Sequence, residues 1–176
     1  VCQNPLPGDC NLWGVWGSAA NNVFAVSEGG VILHYDGMDW SPMSSNTMSF
    51  LFAVWGTSPS NVFAVGDSGT ILHYDGKDWS PMDSGAPNHL LDVWGTSPAD
   101  ILAVGYEGTI LHYDGKEWGA MSSGTINYLH GIWGTSSSDV FTVGTEGTIL
   151  HYDGKEWSAM SSGTTNRLFT VWGSSP

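Results

Sequence analysis

The chain has 176 residues, enough for one domain with a sizeable core. Four Lys or Arg stand against seventeen Asp or Glu, a formal charge of -13, and such a field repels phosphate backbones and argues against nucleic acid as a partner. No apolar run of ~18 residues is present, so no membrane-spanning helix is expected, and no secretory leader is read in the sequence.

Residues 1–11 form an irregular N-terminal segment in which Cys2 and Cys10 flank Pro5, Pro7 and Gly8. The spacing predicts a Cys2–Cys10 disulfide and with it an oxidising compartment; two free thiols on a frayed end are the alternative. A metal site built from two Cys with no nearby His is disfavoured.

From residue 12 the chain repeats itself. Trp16 recurs at Trp55, Trp94, Trp133 and Trp172, each step being 39 residues. The same step relates Trp40, Trp79, Trp118 and Trp157, and the tetrapeptides His-Tyr-Asp-Gly that begin at His34, His73, His112 and His151. The units run about 12–50, 51–89, 90–128 and 129–167, with a partial one at 168–176. A period near ~40 residues is the signature of a propeller blade or another repeat array.

The second unit predicts four strands: Leu51 to Gly56, Val62 to Gly66, Thr70 to Tyr74 and Trp79 to Met82. These are short β-branched and aromatic runs broken by Gly pairs, and no stretch carries the long stripe of a helix. Asp75-Gly76 and its copies Asp36-Gly37, Asp114-Gly115 and Asp153-Gly154 predict two-residue hairpins with a type I′ turn. Glu107-Gly108 and Glu146-Gly147 fall in the preceding turn. Val62 and Ala64 point to one face of the sheet, Phe63 and Val65 to the other, so both faces are apolar and each unit must stack between neighbours. The expected fold class is all-β: a β-propeller of four 39-residue blades plus the inner strand of a fifth.

The stretch Val54 to Gly76, Val-Trp-Gly-Thr-Ser-Pro through Thr-Ile-Leu-His-Tyr-Asp-Gly, resembles the tryptophan- and glycine-rich propeller repeats of bacterial secreted and cell-surface proteins. The likeness covers residues 12–176 and implies an extracellular or cell-surface location. Asp75 to Trp79 is also similar to the Asp-box hairpin of sialidase-like propellers, though one residue shorter between Asp and Trp; there the motif is structural, so it implies no catalysis. The resemblance further implies that Leu51 to Gly56 is the innermost strand and Trp79 to Met82 the outermost. Residues 1–7 then fall in register with an outer strand and residues 168–176 with a fifth inner strand. An incomplete ring is expected, as part of a longer propeller or as a protomer that pairs with another chain to give ~8 blades. A self-closed ring of four is the alternative, in which Leu168 to Gly173 and Leu12 to Gly17 compete for one slot.

The in-register histidines sit on separate blades and cannot converge on one ion, so they are expected to hydrogen-bond within their surroundings. The Asp-Gly carboxylates are read as turn formers before calcium ligands, and no metal or cofactor is expected. Catalysis needs unlike groups that converge, and a sialidase-type site needs clustered Arg where this chain has only Arg167, so no enzyme is expected. The copies differ most at three registers. Phe50, His89, Tyr128 and Arg167 form the first; Trp13, Phe52, Leu91, His130 and Phe169 the second; Glu28, Asp67, Tyr106 and Thr145 the third. The first two are expected on the links between blades and the third in a hairpin turn, where aromatic, His and Arg side chains over a rigid scaffold serve binding. Candidate ligand-binding residues are therefore Phe50, His89, Tyr128, Arg167, Phe52, His130, Phe169 and Tyr106. The function expected is a non-catalytic recognition module for a carbohydrate or protein ligand. The alternative is a scaffold completed by homo-oligomerisation, for instance a dimer, and a glycosidase-type enzyme stands last.

Overall fold

Each 39-residue unit folds into its own sheet, as its short alternating runs dictate. The structure, a computed structural model, describes residues 11–174; the expected Cys2–Cys10 disulfide and the outer strand at 1–7 lie outside the described residues. The first sheet comprises β1 Leu12–Ala19, β2 Asn22–Ser27, β3 Ile32–Tyr35 and β4 Trp40–Met43, and the second β5 Leu51–Ser58, β6 Asn61–Gly66, β7 Ile71–Tyr74 and β8 Trp79–Met82. The third comprises β9 Leu90–Ser97, β10 Asp100–Gly105, β11 Ile110–Tyr113 and β12 Trp118–Met121, and the fourth β13 Leu129–Ser136, β14 Asp139–Gly144, β15 Ile149–Tyr152 and β16 Trp157–Met160. Within each sheet the strands lie in chain order and every pair is antiparallel, so the chain is a β-propeller of four such blades.

The turn at each Asp-Gly differs from the expected type I′ hairpin. Tyr74 and Trp79 pair directly, which leaves Asp75 to Asp78 as a four-residue loop, too long for a two-residue turn. Among its copies only the Gly carries positive φ, as Gly76 does at 98°. The Asp75 carboxylate closes the loop instead, accepting the amides of Lys77 and Asp78 at 2.9 Å each, and these donors hold its carboxyl below the usual range.

The blades bury one another's faces. Val62 and Ala64 join a core with Phe24, Val26 and Ile32 of the first blade, whereas Phe63 and Val65 join Leu90, Ile101 and Leu111 of the third. At each of these two joints a phenylalanine receives the Tyr and Trp of the following blade. Phe24 lies 5.4 Å from Tyr74 and 5.9 Å from Trp79, and Phe63 lies 5.9 Å from Tyr113 and 6.2 Å from Trp118. In the third joint Leu102 takes the phenylalanine's place beside Tyr152 and Trp157. The inner strands β1, β5, β9 and β13 neighbour one another in that order.

The two end faces are open. Trp79 and Trp118 are 3% and 8% exposed, but Trp40, which has no preceding blade among the described residues, is 39% exposed. Residues 168–174 occupy the place of a fifth inner strand beside β13: Leu168 N donates to Gly144 O at 2.9 Å, and a Cβ on Gly131 would meet Thr170 Cα at 2.9 Å, as one on Gly14 would meet Ala53 Cα. The segment carries no strand ladder, because no second strand of that blade lies among the described residues to pair with it. Leu12, Val15, Phe169 and Trp172 are all exposed, so the first and last slots are separate and the arc does not close as a ring of four.

This packing sets unequal costs for equivalent tryptophans. Trp118→Ala should lower unfolding free energy in urea by about 3–5 kcal/mol, and Trp40→Ala by less than about 1.5 kcal/mol. Equal losses would contradict stabilisation by blade stacking.

Candidate functional site

The up-and-down strand order gathers three kinds of segment at one end of the arc: the links between blades, the starts of the inner strands, and the turns between second and third strands. Backbone hydrogen bonds fasten them together. Asp67 N donates to Phe50 O, Tyr106 N to His89 O and Thr145 N to Tyr128 O, each at 2.9 Å. Gly108 makes the close approach possible, since its φ is 68° and a Cβ there would lie 2.0 Å from Thr125 O of the next link. Asn127 Nδ2 then reaches Thr148 Oγ1 at 2.8 Å, and Tyr128 N donates to Thr145 Oγ1 at 3.0 Å.

Trp13, Phe52, Leu91 and His130 were expected on the links but lie inside the inner strands. In β5 the register passes from Leu51↔Gly66 to Ala53↔Val65, which leaves Phe52 as an unpaired bulge residue, and Trp13, Leu91 and His130 repeat this. A bulge turns its side chain out of the pleat, so these positions contribute to the rim although they belong to strands.

The rim aromatics meet. Trp13 and Phe52 are edge-on at 6.1 Å, Phe52 and His89 at 6.4 Å, and His89 and Tyr106 at 4.9 Å; Tyr106 then stacks on Tyr128 at 4.2 Å with the rings 3° from parallel. This ladder draws on the first three units, and Tyr128 lies in the link that leads into the fourth. Ser68 N donates to His89 Nδ1 at 2.9 Å, so Nδ1 holds the lone pair in the neutral ring and Nε2 the proton. Asp67 Oδ1 lies 3.2 Å from the same Nδ1. A second group joins His130 to Phe169 at 5.3 Å, with the Arg167 guanidinium 5.9 Å above the Phe169 ring. Burial, reinforced by Arg167, pulls His130 below the usual histidine range. Phe50 is exposed and contributes its carbonyl to the Asp67 turn rather than a ring to the ladder.

The in-register histidines lie elsewhere, each held within its own blade. His34 and His73 Nε2 meet the Asn22 and Asn61 side-chain oxygens at 2.7 and 2.6 Å, and His112 and His151 meet Asp100 and Asp139 at 2.8 Å. Thr135 Oγ1 donates to the other carboxylate oxygen of Asp139 at 2.5 Å, and Thr96 does the same to Asp100. The hydroxyl is thus tied to the carboxylate and not to the imidazole, an arrangement that anchors a turn and does not activate a nucleophile.

Asp92 is the residue the repeat comparison overlooked. Its register elsewhere holds Gly14, Ala53, Gly131 and Thr170, so an acid in an apolar inner strand was the available signal. Its carboxylate sits between the third and fourth blades, accepting Ile132 N across the joint and Val93 N from its own strand, both at 2.9 Å. Burial raises it to about 6, with those two amides acting in the opposite direction.

No protein-family model matches the chain, and no curated protein does. Among solved structures the chain is similar to YCF48 from Cyanidioschyzon merolae, with 18% identity and a TM-score of 0.71 over 94% of this chain and 61% of that one. It is also similar to a chain of the COPII outer coat vertex on membranes, with 15% identity and a TM-score of 0.69 over 89% of this chain and 52% of the other. The described blades therefore span little more than half the length of these propeller chains. At such identities the likeness shows the fold.

The sign of the Asp92 shift fixes a pH dependence. A raised folded value means the protonated carboxyl is favoured in the fold, so its contribution is full below about 4 and is lost as pH rises through about 6. Asp92→Asn keeps an acceptor for Ile132 N and removes the charge. It should stabilise the protein by about 1–2 kcal/mol at neutral pH and by almost nothing near pH 4, as measured by urea unfolding at both.

Proposed function

We propose that this protein is a non-catalytic recognition propeller that binds an extended segment of a partner protein across its aromatic rim. The ladder from Trp13 to Tyr128 carries this reading, because it joins exposed Trp13 and Tyr128 through half-buried Phe52, His89 and Tyr106 in successive ring contacts across the rim, the equipment of a binding hot spot. Its residues are those at which otherwise similar repeats diverge, whereas positions that pack the blades repeat closely. A glycan would stack on the same ring faces, so oligosaccharides belong in the same screen. The reading carries with it an extracellular or cell-surface location, supported by the Cys2 and Cys10 pair and the likeness to secreted repeats.

A scaffold reading is favoured by a separate observation. The first blade exposes Leu12, Val15 and Trp40, whose copies Leu51, Val54 and Trp79 are buried at an internal joint. The fourth blade leaves Met160 exposed and Phe141 and Ile149 only partly covered, whereas their copies Phe63 and Ile71 are buried. The two end faces of one chain thus leave apolar positions open that the internal joints bury, and a contact between copies would cover them. The occurrence of a similar propeller in the COPII coat vertex, itself an assembly, supports this reading.

Screening unstructured peptides and soluble oligosaccharides by NMR should give shift changes centred on His89, Tyr106 and Tyr128. The Tyr106→Ala/Tyr128→Ala variant should weaken any such ligand by about tenfold or more. Ligands that map only to the opposite end of the blades would sink the rim reading. Light scattering across protein concentrations tests the scaffold: mass should rise with concentration and Trp40→Glu should abolish the rise, while a monomer at every concentration removes that reading.

A further inference from the structure

The chemistry of the partner follows from where the charges lie, given the rim reading above. Strand order places Lys77, Lys116 and Lys155 in the turns between third and fourth strands, at the end of the blades away from the rim, where each stands between two acids of its own turn, as Lys77 does between Asp75 and Asp78. The rim end holds Glu28, Asp67, Glu107 and Glu146 in its hairpin turns and Asp83 in a link. Against these stands Arg167 alone among Lys and Arg, and it lies over Phe169 in the last link, outside the ladder. Glu107 and Glu146 are exposed and adjoin Tyr106 and Thr145 in the turn register that meets the ladder. The aromatic surface is therefore bordered by negative charge, within a chain of net charge -13.

We infer that the rim takes an extended, positively charged protein segment whose arginine or lysine side chains alternate with apolar ones. Followed from ring to ring the ladder spans at most about 22 Å, the reach of no more than about six residues at ~3.3 Å each. Guanidinium groups stack on tyrosine faces and bond carboxylates in the same pose, so Tyr106, Tyr128, Glu107 and Asp67 suit one such side chain after another. Complementary charge also steers encounter, which makes the association faster and sensitive to salt.

The test uses the full chain and three fluorescently labelled peptides that alternate Leu-Pro with Arg, Ser or Glu, read by anisotropy. The Arg peptide should bind at least about tenfold tighter than the Ser peptide and the Glu peptide weakest, with high salt erasing the difference. Asp67→Asn with Glu107→Gln and Glu146→Gln should bring the Arg peptide to the affinity of the Ser peptide and leave the Ser peptide unchanged. Unaltered thermal melts of the variants establish that they fold. Equal affinity for Arg and Ser peptides, both lost in Tyr106→Ala/Tyr128→Ala, overturns the charge inference and leaves the rim reading standing. Arg-peptide binding that survives Tyr106→Ala/Tyr128→Ala, or no binding of any peptide, overturns both.

Discussion

Burial of aromatic and branched side chains between neighbouring sheets is the constraint on which the rest of this protein depends. A sheet with Val62 and Ala64 on one face and Phe63 and Val65 on the other has no solvent side, so an isolated blade would leave apolar surface in water and each gains by stacking on a neighbour. Phe24 and Phe63 are almost wholly buried because the next blade supplies a Tyr and a Trp to cover them, and Phe141 is half-buried where the third and fourth strands of a following blade do not lie among the described residues. A fully buried aromatic contributes several kcal/mol through area and edge-on geometry, so the joints outweigh any single turn or ion pair. The hydrogen bonds of the His, Asn and Asp side chains then fix the turns of a blade whose faces are already committed.

That constraint also explains where the copies are free to differ. Positions between blades are held by packing from both sides, and a change in volume there is felt at once. At the rim, the bulges and turns are fixed through backbone groups: the amide of Tyr106 binds the carbonyl of His89 whatever side chains these residues carry. The scaffold therefore presents side chains without needing their identity. Glu107 and Glu146 show the same independence in another way, since each holds a left-handed φ of 54° that glycine would occupy more easily, at a cost of order 1 kcal/mol.

Charge is distributed by the same topology. Turns between third and fourth strands lie at one end of every blade, so a lysine copied with the repeat is copied to that end each time. The rim is left with acids and one arginine; the opposite end is acidic too, its lysines outnumbered by the Asp and Glu of the same turns, so it is the aromatic ladder beside the acids that marks the rim. Asp92 is the exception inside the scaffold, a carboxylate that joins two blades through backbone amides and whose pKa burial raises to about 6.

Much of the fold was legible in the sequence because strand pattern, turn residues and the 39-residue step all depend on near neighbours in the chain. The strands of the second unit differ from their expected bounds by only one or two residues. The Asp-Gly turn was misread because the dipeptide alone does not reveal that Asp75 caps a longer loop with its own carboxylate. The rim registers could be found by comparing the copies, yet their chemistry could not: that Tyr106 stacks on Tyr128 brings a hairpin turn against the link that leads into the next blade. Asp92 escaped because its partner, the Ile132 amide, lies one repeat away. By itself, then, the sequence determined the blade, its number of copies and the faces that must be buried, since hydrophobic period and turn chemistry are local. Only the tertiary structure decided the open arc, the bulges at Phe52 and His130, and the successive ring contacts of the aromatics, because the angle between blades is set by how whole faces pack.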